Sequence, residues 1–166
     1  MNATNIRKLA STLTRLAEQM ESDLVPLSNF DSVGQFHAKF GLDVSNGRTP
    51  HHIPQELEDF RMRFLHEELT ELEHAYFDQD LPKIADALVD LVYVALGTAH
   101  LHGLPWEALF AEVQRANMTK VRATCKEDST RLSSFDVVKP EGWTPPNIIE
   151  VLMRAGWPGP ALPLGE

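Results

Sequence analysis

The sequence predicts an all-α protein, a helical bundle of four to five main helices followed by an irregular C-terminal segment. Three observations lead there. Apolar residues recur every three or four positions over long stretches, which is the period of one helical face and not the two-residue alternation of a half-buried strand. Residues that start or stop helices, among them Gly41, Pro82 and Pro105, fall at the ends of those stretches. One stretch, Ile84 to Ala99, is apolar on nearly every side, as the central helix of a bundle is.

Taken in order, Ile6, Leu9, Ala10, Leu13, Leu16, Ala17, Met20 and Leu24 mark the first helix, with Thr4 or Asn5 to cap it. After Val25-Pro26, Asp31 is placed to cap a short helix in which Val33, Phe36 and Phe40 share a side and which ends at Gly41. Asn46-Gly47, Pro50 and Pro54 make the stretch from Asp43 to Pro54 a loop. A long helix then runs from about Gln55 to Phe77, and Leu81-Pro82 opens the next, from Lys83 to about Leu101. Gly103-Leu104-Pro105 turns the chain into a helix ending near Met118, with Trp106, Leu109, Phe110 and Val113 inward. Beyond Lys120 periodicity is lost, apart from an extended piece at Phe135 to Val138 and a short helix from Asn147 to Arg154 after Pro145-Pro146.

A chain of 166 residues with 43% hydrophobic content is long enough for one core without staples, so residues 1–155 are read as one domain and 156–166 as a tail. The single cysteine, Cys125, lies among charged residues and has no partner for an intramolecular disulfide, which fits a reducing cytoplasm. No N-terminal apolar run resembles an export signal, and the most apolar stretch is short for a bilayer and carries Asp86 and Asp90. The net charge of -9 argues against a nucleic-acid backbone as partner. A small phosphate ligand remains open to an acidic protein that supplies a cation or a few local basic side chains.

Acids occur where the helical pattern calls for apolar residues. With Phe64 as zero on the Gln55 to Phe77 wheel, Glu68 falls at about 40° and Glu71 at about -20°, inside the stripe formed by Leu57, Phe60 and Ala75. Glu67 lies at the edge of the stripe and Glu73 opposite it, while Arg61, Arg63 and Lys83 are read as lying mostly away from it. Asp86 and Asp90 repeat the pattern one turn apart on the next helix, which has almost no polar face. A Glu-Glu-x-x-Glu on a helix is ordinarily a solvated face, and buried acids can be satisfied by neighbours such as Tyr93 or His66. Several carboxylates converging in an apolar seam instead suit a hard divalent cation such as Mg²⁺. Zinc is a poorer match: Thr70 stands where a His-Glu-x-x-His helix would need its second histidine, and His51-His52 has no third soft ligand nearby.

Glu67-Glu68-Leu69-Thr70-Glu71, with Asp86 and Asp90 on the next helix, resembles the metal signature of the all-α nucleoside triphosphate pyrophosphohydrolases. That superfamily includes MazG-type enzymes, dimeric dUTPases and phosphoribosyl-ATP pyrophosphohydrolases. Further stretches are similar to a bacterial and phage branch: Phe36 to Gly41, Ile84 to Asp90, Gly97 to Ala99, Glu112 to Lys120 and Lys139 to Trp143. Where many relatives have Glu-x-x-Asp on the second helix, position 87 is alanine, and Asp86 stands in from one residue earlier.

The resemblance implies an enzyme that cuts a nucleoside or deoxynucleoside triphosphate into the monophosphate and pyrophosphate, by attack of a metal-activated water on the α-phosphorus. It implies Mg²⁺, with Mn²⁺ able to substitute, held by Glu68, Glu71 and Asp90 with Asp86 as a further candidate, and Glu67 or Glu68 acting on the water. Asn117 and Lys120, joined by Arg115 and Lys139, are implied contacts to phosphate or sugar, and Gln35 and His37 to the base; Phe40 by itself reads as core. Relatives imply a homodimer or a dimer of dimers. Two other readings stand beside this one: phosphoribosyl-ATP hydrolysis in histidine synthesis, which shares the chemistry, and a helical interaction module without catalysis.

Overall fold

The computed structural model describes residues 7–8, 10–16, 27–42 and 49–160. They form an all-α bundle with one two-stranded sheet, as the sequence predicts. Residues 10–16 are helical, and the remaining expectations for the first helix lie outside the described residues.

Helix α1 spans Asn29–Phe40 and starts three residues earlier than the sequence reading, because Ser28 and not Asp31 is its cap: the Ser28 hydroxyl oxygen accepts from the Asp31 backbone N–H at 3.1 Å. Gly41 ends it in the left-handed region (φ 63°), returning its N–H to the carbonyls of the last turn. Helix α2 occupies Gln55–Phe77, and helix α3, capped by Asp80, occupies Leu81–Leu101, starting two residues before the predicted Lys83. A three-residue turn joins them, so α2 and α3 lie side by side and antiparallel.

α3 packs on α2 and on α1. Its length and composition would suit a membrane span, yet its small and branched residues Ala87, Val94, Leu96, Gly97, Ala99 and Leu101 are buried inside the bundle. The expectation that it is enclosed on all sides is corrected by Leu88, Val89 and Val92, which form an open face; Val89 is 64% exposed. Helix α4, Trp106–Met118, is tied to the bundle through Trp106, whose ring stacks on Phe30 of α1 at 6.1 Å. Phe110 and Val113, read as inward-facing, are exposed.

The extended piece expected near Phe135 is a strand, β2 (Val137–Val138), paired antiparallel with β1 (Val121–Arg122), so that Val121 faces Val138. Helix α5, Ile148–Arg154, follows, with the Asn147 side chain accepting from the Glu150 N–H. The tail begins laid against α5, since the Trp157 N–H donates to the Leu152 carbonyl at 3.0 Å.

Two glycines are demanded by geometry. Gly103 (φ 64°) turns the chain out of α3 where a Cβ would lie 2.8 Å from the Thr49 carbonyl oxygen. Gly97 sits where α1, α2 and α3 meet: a Cβ there would come within 2.8 Å of His37 Nε2 from α1 and 2.9 Å of Arg61 Nη2 from α2. An alanine in a helix interior normally gains about 1 kcal/mol over glycine. Gly97→Ala should instead destabilise the chain by about 1–3 kcal/mol, because both buried side chains must shift, and a denaturant melt of the variant measures the sign.

Candidate active site

Along the shared α2–α3 seam the acids and a buried guanidinium, that of Arg61, occupy different levels. Glu68 is 8% exposed, the buried carboxylate of the group. Burial first, then repulsion from Asp90, Glu71, Glu67 and Asp86 in that order, pushes its carboxyl above the usual carboxylate range. The four acids that the helical wheel and the resemblance single out beside Glu68 thus lie within electrostatic reach of its carboxyl. Only Glu68 is enclosed, however. Glu67, Glu71, Asp86 and Asp90 stand at an exposed rim, whereas the reading of an apolar α3 expected Asp86 and Asp90 to be buried. Their helix has an open face after all, so the rim carboxylates keep part of their hydration. Among the described residues no three acidic, histidine or cysteine side chains are yet drawn close enough to hold a metal ion. Neither Tyr93 nor His66 hydrogen-bonds Glu68 among them; Tyr93 instead meets the Phe36 ring edge-on at 5.5 Å.

The donor set is nonetheless all hard oxygen, the chemistry that suits Mg²⁺, and a divalent cation would offset the negative charge gathered around buried Glu68. Beside Glu67 lies an open groove of about 430 Å³, lined by Phe60, Arg63, Phe64 and Glu67, through which solvent reaches that carboxylate.

Arg61 was not anticipated in the seam. It lies seven residues before Glu68, two turns along the same face, a spacing of about 10 Å, and is 7% exposed. Its Nη2 donates to the Val94 carbonyl at 2.6 Å and its Nε to Thr98 Oγ1 at 3.1 Å, while Thr98 Oγ1 donates to the same Val94 carbonyl at 2.9 Å. Burial pulls its guanidinium below its ordinary value. On the wheel Arg61 falls at about 60°, close to Glu68 at about 40°, and that proximity was the signal available in the sequence.

The candidate substrate contacts divide into two places. His37 is buried at Gly97, its ring 5.2 Å from that of His100, while Gln35 is exposed on α1. Phe40, read as core, is exposed and packs against Phe36 at 4.7 Å. At the other end, Lys120 and Lys139 both reach the Trp143 ring, with Nζ 5.9 and 4.6 Å from its centroid. Trp143 is held in place by its indole N–H, which donates to the Ala116 carbonyl at 2.8 Å, next to the exposed Asn117. Two ammonium groups gathered on one ring leave a positively charged spot in an acidic chain.

Arg115 is already engaged. Its Nε and Nη2 grip Glu112 at 2.9 and 2.8 Å, and it also reaches Thr144 and Pro145. The Arg115 hydrogen bonds and the Asn147 backbone N–H hold the Glu112 carboxyl down to about 2. His51 and His102, likewise, are tied to each other's backbones, the His51 N–H to the His102 carbonyl at 3.0 Å and His102 Nδ1 to the His51 carbonyl at 2.9 Å.

A family model described as phosphoribosyl-ATP pyrophosphohydrolase matches residues 33–117, a span that holds the whole seam and His37 but ends before Lys120, Lys139 and Trp143. No curated protein matches the chain.

Because the Glu112 carboxyl is depressed in the folded chain, the stability it contributes is fully present above the ordinary carboxylate range and is lost as pH falls toward about 2. A carboxyl-resolved NMR titration should find its midpoint at about 2 in the intact protein, and Arg115→Met should return it toward ordinary glutamates. An unshifted Glu112 in the intact chain would contradict the pairing.

Proposed function

The chain belongs to the phosphoribosyl-ATP pyrophosphohydrolase family, and from that premise we propose that its α2–α3 seam hydrolyses the α–β phosphoric anhydride of a phosphoribosyl-ATP-type nucleotide, releasing pyrophosphate. A pyrophosphohydrolase acts on phosphoric anhydride bonds, so the chain is an enzyme and not a helical interaction module. The observation that carries the proposal is Glu68, buried in the family-matched span with four carboxylates bearing on it.

Glu68, Glu71 and Asp90, with Asp86 beside them, would hold Mg²⁺ or Mn²⁺. Bound there, the cation would offset charge on the phosphates and would make a water more acidic. Glu67 faces the groove, where its carboxylate takes the proton of the attacking water. The water oxygen bonds to the α-phosphorus as the bond to the bridging oxygen breaks, and pyrophosphate departs with that oxygen. Lys120 and Lys139, gathered over Trp143 near Asn117, offer ammonium donors for substrate phosphates. Arg115 serves this end indirectly, through its grip on Glu112 and the approach to α5. Gln35 and His37 stay assigned to the base side, His37 through the packing of α1.

The second reading is hydrolysis of an ordinary nucleoside or deoxynucleoside triphosphate. It is favoured by the lysine pair lying outside the family-matched span, in the stretches that resemble a bacterial and phage branch of the superfamily. Pyrophosphate release from phosphoribosyl-ATP and from the common triphosphates, each with Mg²⁺ and with Mn²⁺, separates the two by kcat/KM. The expected result favours phosphoribosyl-ATP; a preference for one triphosphate would install the second reading, and turnover of none would refute both. Glu68→Gln should cost at least the roughly hundredfold that loss of a metal site's outer partners can cost.

The open face of α3, Leu88, Val89 and Val92, supports a homodimer or a dimer of dimers. Light scattering at micromolar concentration should return at least twice the mass of the 18.6 kDa chain; a monomer would count against it.

A further inference from the structure

Arg61 is expensive where it stands. A buried guanidinium loses its hydration, and here it meets neutral groups: a backbone carbonyl, a hydroxyl, and the Phe64 ring, 5.4 Å from Cζ. An apolar side chain of similar volume would fill the same space at lower cost, so filling space does not account for arginine at this position. Gly97 is bare at the same point, leaving room for Nη2 to approach α3. What the guanidinium adds is direction. It binds one carbonyl and one hydroxyl of α3, four residues apart on one face, and so recognises a single register of α2 against α3.

That register is the one the acids need. Going from Arg61 to Glu68 is seven residues along α2; going from the Val94–Thr98 pair to Asp90 and Asp86 covers a matching length back along antiparallel α3. Glu68 is thereby bracketed between the turn at 78–80 and the Arg61 tie. Sliding either helix by one residue rotates its face by about 100°, which would carry Glu68 away from the α3 acids. We propose that Arg61 is a positioning residue for the acidic seam, fastening α2 to Val94 and Thr98 so that Glu68 faces Asp86 and Asp90. This rests on the seam being the cation site.

Mn²⁺ binding to the substrate-free, full-length protein, read by electron paramagnetic resonance, tests it without turnover. Arg61→Met should weaken Mn²⁺ binding about tenfold or more, the usual scale for residues that orient metal ligands, with helix content by circular dichroism unchanged. Arg61→Lys should recover part of the loss, since an ammonium still donates to the Val94 carbonyl. Folded Arg61→Met that binds Mn²⁺ like the parent overturns the proposal. If Arg61→Met does not fold, Thr98→Val decides: it keeps the charge and removes one acceptor, and should weaken Mn²⁺ binding by roughly threefold, the worth of one hydrogen bond, whereas parental binding overturns the proposal. Glu68→Gln separates the two failures, because parental Mn²⁺ affinity in that variant would refute the seam as a cation site.

Discussion

Repulsion among carboxylates along the α2–α3 seam is the constraint around which the rest of the chain is arranged. Glu68 is enclosed and faces four other acids, so in the folded chain it holds its proton more tightly than an unfolded chain would. The sign is unfavourable to folding at neutral pH: whatever stability a raised carboxyl gives is present at low pH and is lost as pH rises through its folded value. The helices must therefore be held together by something other than the seam. The buried residues Val94, Leu96, Ala99 and Leu101 on α3 and the three-helix junction at Gly97 do that, at the end of the seam away from the acids. A cluster of acids that opposes its own fold is tolerable when the surrounding packing overdetermines it.

How much of this could be read from residues alone depends on how local each cause is. The bounds of α2 were legible because Pro54 and the three-and-four spacing act within a few residues. The acid cluster was legible because a wheel needs only the residue numbers, and the same wheel places Arg61 beside Glu68. Reading Arg61 as lying away from the acids disagrees with that wheel, and nothing in the sequence displays the Val94 carbonyl that accepts from it. The exposed side of α3 was equally hidden. An apolar surface that faces solvent in one chain has the same composition as one that faces a neighbour, so hydrophobicity could not tell Val89 from Val94.

The C-terminal part was the least legible. Its short strands carry two residues each, too few for any alternation to register, and Val121 finds Val138 only through a long return of the chain. The lysine pair is a product of that return, since Lys120 and Lys139 flank the two strands and meet over Trp143 because the strands pair. Arg115 shows the opposite outcome. A basic residue beside candidate phosphate contacts looked available, yet its nearest acid is three residues back on its own helix, a spacing that makes an intrahelical pair the cheaper arrangement.

The hydrogen bond from the Asn147 backbone to Glu112 joins positions 35 residues apart and shuts the intervening chain into a ring. Closing a flexible loop of that size carries an entropic cost that grows only slowly with its length, and the strand pairing inside it divides the large ring into smaller ones that are already closed. Insertions at the ring's outer rim, around the exposed Phe135, would therefore change its size without disturbing the position of Trp143. Lengthening the chain between Lys139 and Asn147 would loosen the tether that keeps both ammonium groups in place.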